Sequence, residues 1–215
     1  MTYRTVLFDL DGTLLDHFSA IHRSYCHTLP QLGLPKPSLG EVRNAVGGGL
    51  ENAMLRFVRR DQLGEAVRIY RAYFDRTMLD DAVLFPGAQE LLQSLGDRGV
   101  TCAVLTNKVG TASRALCQHL GIAPLLKSVF GAGDTPWLKP DPALSAQVLR
   151  DLQAESGSTL LVGDSPFDLQ TGLNGNFDCW LVTTGTHTGQ ELRREGATRV
   201  YSDLFELGSD LLAAG

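Results

Sequence analysis

The chain has 215 residues, 43% of them apolar, and a formal charge of −5. That length suits one large domain or a core with a smaller accessory lobe, and the apolar share can bury a core without disulfides or a structural metal. The mild acidity offers no whole-chain attraction to nucleic acid or to an anionic membrane, although local cations, helix N-termini or a bound metal can still gather an anionic substrate.

In chain order, Val6-Leu7-Phe8 is a short apolar run that stops at acidic residues and Gly12, as a buried parallel strand does. From about Asp16 to Asp81 the strand signal disappears. Phe18, Ile21, Tyr25, Leu29 and Leu32 recur at helical spacing. Ser38 with Glu41 forms a capping box that opens a second helix through Leu39, Val42 and Val46. Gly47-Gly48-Gly49 breaks it, and two more helices follow, through Leu50, Met54, Phe57 and Val58 and then through Leu63, Val67, Tyr70 and Phe74. This pattern predicts an all-α lobe over residues 16–82, inserted after the first strand of a core made of residues 1–15 and 83–215. Phe85-Pro86-Gly87 marks the return of the chain.

Beyond it, helices over Ala88 to Leu95, Thr111 to Leu120 and Pro142 to Leu152 alternate with strands over Val100 to Leu105, Thr159 to Val162 and Cys179 to Thr183. Ser128-Val129-Phe130 is a weaker strand candidate. Such alternation predicts an α/β fold, a Rossmann-like parallel sheet flanked by helices. The ligand crevice of such a sheet lies outside the carboxyl ends of its strands, where Asp9, Thr106 and Asp164 all fall.

Cys26, Cys102, Cys117 and Cys179 are scattered without CxxC spacing and read as small buried hydrophobes. No apolar run approaches the ~20 residues of a membrane span. Met1 to Leu7 enters a strand pattern rather than a signal peptide. A reducing, cytoplasmic setting is expected.

Asp9 and Asp11 end the first strand. Two carboxylates beside a phosphate would repel it unless a divalent cation intervenes, and magnesium takes oxygen ligands of this kind. Gly12 allows close backbone approach to a ligand, and Thr13 offers a hydroxyl donor. Thr106 and Asn107 supply a hydroxyl and an amide at the second strand end. Lys139 sits before Pro140, and Asp164 and Asp168 stand four residues apart at a strand-to-helix junction.

These four segments, Asp9-x-Asp11-Gly12-Thr13, Thr106, Lys139 and Gly163-Asp164-x-x-x-Asp168, resemble the haloacid dehalogenase superfamily of phosphohydrolases, with the helical insert matching that family's cap. Phe85-Pro86-Gly87 and Thr184-Gly185 look like its phosphoglycolate phosphatase-like branch. The resemblance implies a magnesium-dependent phosphatase. In it Asp9 is the nucleophile and forms an aspartyl-phosphate. Asp11 is the general acid and base, and Thr106 and Lys139 hold the phosphoryl oxygens. Gly12, Thr13 and Asn107 line the phosphate site. Asp9, the Asp11 carbonyl and Asp164 hold Mg2+, while Asp168 supports a metal-bound water or orients Lys139.

Asp11 speaks against a dehalogenase, since halide needs no protonation. The expected partner is a small phosphorylated metabolite, with phosphoglycolate the leading candidate, and the chain is expected to be a monomer or homodimer. A sugar-phosphate phosphomutase and a catalytically silent binding protein are the alternatives. Two departures from the family pattern stand out. Asp16-His17 replaces Asp-Ser, so His17 faces substrate or solvent near the cap hinge, with solvent the more usual outcome. Asn176, after Gly172 and Gly175, ends the helix that the family closes on Ala-Gly. In the cap, Arg43 is the candidate cation for a substrate carboxylate, and Gly47 and Gly48 the loop that approaches the substrate.

Overall fold

The computed structural model describes residues 2–213. From β1 (Thr5–Phe8) the chain passes a short β2 (Leu15–Asp16) and enters four helices, α1 (Phe18–Thr28), α2 (Leu39–Arg43), α3 (Leu50–Met54) and α4 (Leu63–Thr77). β3 (Val83–Leu84) returns antiparallel to β2, so the two crossings between core and helices are tied by one small ribbon. There follow α5 (Ala88–Asp97), β4 (Thr101–Val109), α6 (Gly110–His119), β5 (Ser128–Ala132) and α7 (Pro142–Leu152). The chain ends with β6 (Thr159–Gly163), α8 (Pro166–Gly175), β7 (Asp178–Val182), α9 (Gly189–Arg194), β8 (Val200–Tyr201) and α10 (Leu204–Ala213).

Six strands form one parallel sheet in the order β5-β4-β1-β6-β7-β8, the α/β architecture expected. β1 is central and covered on both faces, which is why Val6, Leu7 and Phe8 are all apolar and fully buried. Val6, Phe8, Val104 and Val162 pack in one cluster with α5 and α10, while Leu7, Leu105 and Leu161 pack in another with Leu144 and Val148 of α7. The strand order reverses between β1 and β6, which opens a crevice at their carboxyl ends.

The helices of the insert bury a cluster of their own, with Ile21, Tyr25, Met54, Tyr70 and Phe74 facing one another. The capping box at Ser38 forms as expected, with Ser38 N–H donating to Glu41 at 2.7 Å. α2 ends at Arg43 instead of continuing through Val46, because Gly47 and Gly49 take φ of +120° and +88° and turn the chain away. The periodicity that suggested helix through Leu32 reflects a 3₁₀ turn over Leu29–Leu32, beginning beside Pro30. Asp141 caps α7 through Ala143 N–H at 2.8 Å, and Asn176 ends α8 in the left-handed region at φ 54°. The β2–β3 ribbon and β8 escaped the sequence reading, since two-residue strands carry no period.

Candidate active site

The carboxyl ends of β1, β4 and β6 place Asp9, Thr106 and Asp164 together, and the loop before α7 adds Lys139; all four are buried. Asp9 follows β1 directly and is held by its own N–H donating to Val162 O at 2.8 Å. Gly12 has φ +88°, and a β-carbon there would stand 2.8 Å from the Asp164 carboxyl carbon, so only glycine lets the two strand ends close on each other. Thr184 Oγ donates to Gly12 O at 2.7 Å, and the Thr13 hydroxyl is buried without a hydrogen-bond partner among the described residues.

Lys139 Nζ hydrogen-bonds Asp168 at 2.6 Å and forms an ion pair with Asp9 at 2.9 Å. Beyond Lys139, that Asp9 oxygen has no hydrogen-bond partner among the described residues. Asp168 is also gripped by the Asp164 and Ser165 N–H groups and by the Ser165 hydroxyl, at 3.2, 3.1 and 2.6 Å. Asp168 thus holds the Lys139 ammonium from the side away from its backbone donors. Asp164 accepts from Thr186 N–H at 2.7 Å and from its hydroxyl at 2.9 Å.

Oxygens of Asp9, Asp164 and Asp168 lie within 4.8 Å of one another. Burial, with the charges of Asp168 and Asp9, raises the Asp164 carboxyl to about 8. Burial likewise raises Asp9 to about 6, against the pull of Lys139. Three buried carboxylates with one lysine among them carry an excess of negative charge, and a hard divalent cation with oxygen ligands fits that donor set.

Asp11 is turned to a different partner. Lys108 Nζ, unremarked in the sequence, contacts its two oxygens at 2.7 and 3.0 Å. Burial alone would raise the Asp11 carboxyl, but the Lys108 ammonium outweighs it and holds the group at about 2. Lys108 also donates to His17 Nδ1 at 3.1 Å and lies 5.0 Å from the centre of the Phe74 ring. His17 Nδ1 is 3.7 Å from Asp11, beyond a hydrogen bond, so it accepts from Lys108, and Nε2–H meets Met78 O at 2.5 Å.

Three sequence expectations need correction. His17 faces neither solvent nor an open pocket; it is completely buried because α4 ends against it at Met78. Arg43 does not reach into the crevice as a free cation: Nε and one terminal nitrogen donate to Gly185 O and Thr184 O at 2.9 and 2.7 Å, with the guanidinium 4.5 Å over Phe18. The Asn107 amide is spent on backbone groups, Gly47 O, Lys139 O and Lys139 N–H, at 2.9, 3.0 and 2.8 Å, which leaves no side-chain donor for phosphate. Gly47 and Gly48 both pack toward the Phe167 ring, and of the two Gly47 lines the crevice.

A cavity of about 310 Å³ joins core and insert. Asp9, Asp11, Thr106 and Lys108 form its polar side, and Ile21, Tyr25, Leu50, Tyr70 and Phe74 its apolar side. No helix among the described residues is long and apolar enough to cross a membrane.

The haloacid dehalogenase-like hydrolase family matches residues 6–182. A phosphoglycolate phosphatase of Rhodospirillum rubrum is 31% identical over 216 residues, covering 95% of this chain and 89% of that protein. A 5′-nucleotidase of Pseudomonas aeruginosa is 30% identical, covering 96% and 95%. The crystal structure of a predicted phosphatase from Clostridium acetobutylicum superposes with a TM-score of 0.90 at 26% identity, over 98% of this chain and 99% of that one. The chain belongs to the haloacid dehalogenase-like hydrolases, among relatives like phosphoglycolate phosphatase. It is an enzyme of the phosphatase class.

Proposed function

We propose that this phosphatase hydrolyses small soluble phosphate monoesters in the presence of magnesium, through an aspartyl-phosphate formed on Asp9. The observation that carries the reading is the Asp9 carboxylate. It lines the cavity, and the oxygen it turns to the Lys139 ammonium at 2.9 Å has no other hydrogen-bond partner among the described residues. Attack of Asp9 on phosphorus would join its oxygen to the phosphoryl group and release an alkoxide. Thr106 and Lys139 would bind the phosphoryl oxygens, Gly12 and Thr13 would shape the turn around them, and Asn107 would act by fixing the Lys139 backbone.

Asp11 would protonate the alkoxide and later deprotonate the water that splits the intermediate. Paired with Lys108 it is ionised, so it must first gain a proton. A phosphate dianion that competes for Lys108 supplies the reason it does so. Asp9, Asp164 and the Asp11 carbonyl would hold the cation, with Asp168 serving from behind through Lys139 and Ser165. When bound, magnesium neutralises phosphate charge and polarises its oxygens. Residues 16–82 would act as a cap over a core of residues 1–15 and 83–215.

The names of two relatives supply candidate substrates, phosphoglycolate and nucleoside 5′-monophosphates. The test is phosphate release from both with and without magnesium, by the native chain and by Asp9→Asn. The substitution abolishes magnesium-dependent release; retained turnover overturns the nucleophile assignment.

A further inference from the structure

We propose that the alcohol released by this enzyme is uncharged and aromatic, seated against an aromatic wall that α1 and α4 contribute to the cavity of Asp9 and Asp11. The proposal rests on the phosphatase reading and concerns the leaving group alone.

The cavity, about 310 Å³, lies at the lower end of the range that encloses drug-sized ligands and far exceeds what a two-carbon acid requires. Tyr25, Tyr70 and Phe74 form a continuous row, with ring centres 5.2 and 5.4 Å apart, and Ile21 and Leu50 extend its apolar surface. Burial pushes both tyrosine hydroxyls well above their ordinary pKa, so this wall carries no charge. The Tyr25 hydroxyl is buried without a hydrogen-bond partner among the described residues, so it adds no charge and no exposed polar group to this wall.

A carboxylate in the leaving group would need an unspent cation. Lys108 is bound to Asp11, and Arg43 to the carbonyls of Thr184 and Gly185. The other cation lining the cavity among the described residues is Arg71, which is exposed to water and stands one helical turn before Asp75, whose carboxylate lines the same cavity. A carboxylate set against aromatic faces would lose water and meet their negative quadrupoles. A ring there gains edge and offset contacts instead.

Benzyl phosphate and ethyl phosphate test this, because their alcohols are similarly poor leaving groups and the rate ratio therefore reads binding. With magnesium present, kcat/KM for benzyl phosphate exceeds that for ethyl phosphate, and for phosphoglycolate, by at least about tenfold, as burial of one ring requires. Leu50→Asp places a carboxylate on the wall at the first residue of α3, where an acidic residue suits the helix start, and lowers the benzyl-to-ethyl ratio about tenfold. A native ratio near one overturns the proposal. So does a preference for phosphoglycolate that Arg71→Ala removes, and both results leave the phosphatase reading standing. Release from none of the three esters overturns this proposal, and the nucleoside 5′-monophosphate assay then decides the phosphatase reading separately.

Discussion

Lys108 Nζ lies 2.7 Å from Asp11 Oδ2, with both side chains nearly buried, so the candidate acid is clamped to a cation inside the protein. Removing one partner of such a pair strands the other charge, at a cost of about 3–5 kcal/mol. Lys108→Met is expected to lose stability of that order in urea unfolding near neutral pH. The pH dependence has a definite sign. Asp11 has a folded-state pKa of about 2, below the ordinary 3.8, so the pair's contribution is present above that ordinary value and is lost as pH falls through about 2. The gap between native protein and variant therefore narrows on acidification. A gap independent of pH would show that the loss comes from packing.

Arg43 binds two carbonyls of the loop that also supplies Thr186 to Asp164. It thus ties α2 to the loop beside the acidic cluster. Arg43→Ala is expected to change KM equally for a carboxylated and a neutral ester, and to lower stability by about 1–2 kcal/mol. Lysine should not restore either, since it cannot bond two carbonyls while stacking flat on Phe18. A selective rise in KM for the carboxylated ester would return Arg43 to the substrate site.

The difference between Asp9 and Lys108 shows where sequence ceases to be informative. Asp9, Thr106 and Asp164 were legible because each ends an apolar run, and runs that end together in a parallel sheet bring their last residues together. Lys108 carries no such mark, because the apolar run ends at Leu105 whereas β4 itself continues to Val109 with a register irregularity. Carrying the two-residue alternation past Thr106 would have raised Lys108 as a candidate. Arg43 offered no such clue, since its partners lie 142 and 141 residues away. His17 is buried by the end of α4, a contact that no local pattern encodes.

The Asp164 carboxyl, raised to about 8, links metal binding to pH. In metal-free protein the folded state holds this proton more tightly than the unfolded chain, so this group's contribution to stability falls as pH rises from the ordinary 3.8 toward about 8. A magnesium ion held by Asp164, as proposed, would have to displace the proton, so its stabilising effect would grow over the upper part of the same interval. The shift in Tm on adding magnesium is expected to be larger at about pH 8 than at about pH 5.5, and Asp164→Asn should reduce the difference to what the Asp9 carboxyl, raised to about 6, contributes. An equal shift at both pH values would place the cation elsewhere.

Gly185 abuts Asp164 so closely that a β-carbon there would overlap the carboxylate. The neighbouring Thr186 fixes the same carboxylate through its N–H and hydroxyl. Gly185→Ala cannot be accommodated by the carboxylate without loss of those two bonds. It should therefore weaken magnesium binding by about 10–100-fold, as loss of an outer-shell partner does, and lower metal-free stability by about 1–3 kcal/mol through overpacking. Gly157→Ala is the control, because a β-carbon there meets nothing within 4 Å. Titration of the two variants with magnesium, read by thermal unfolding, separates the effects. A weakened midpoint in Gly185→Ala alone ties cation affinity to the exact placement of Asp164, and matching midpoints would show that the carboxylate retains its position by moving the loop.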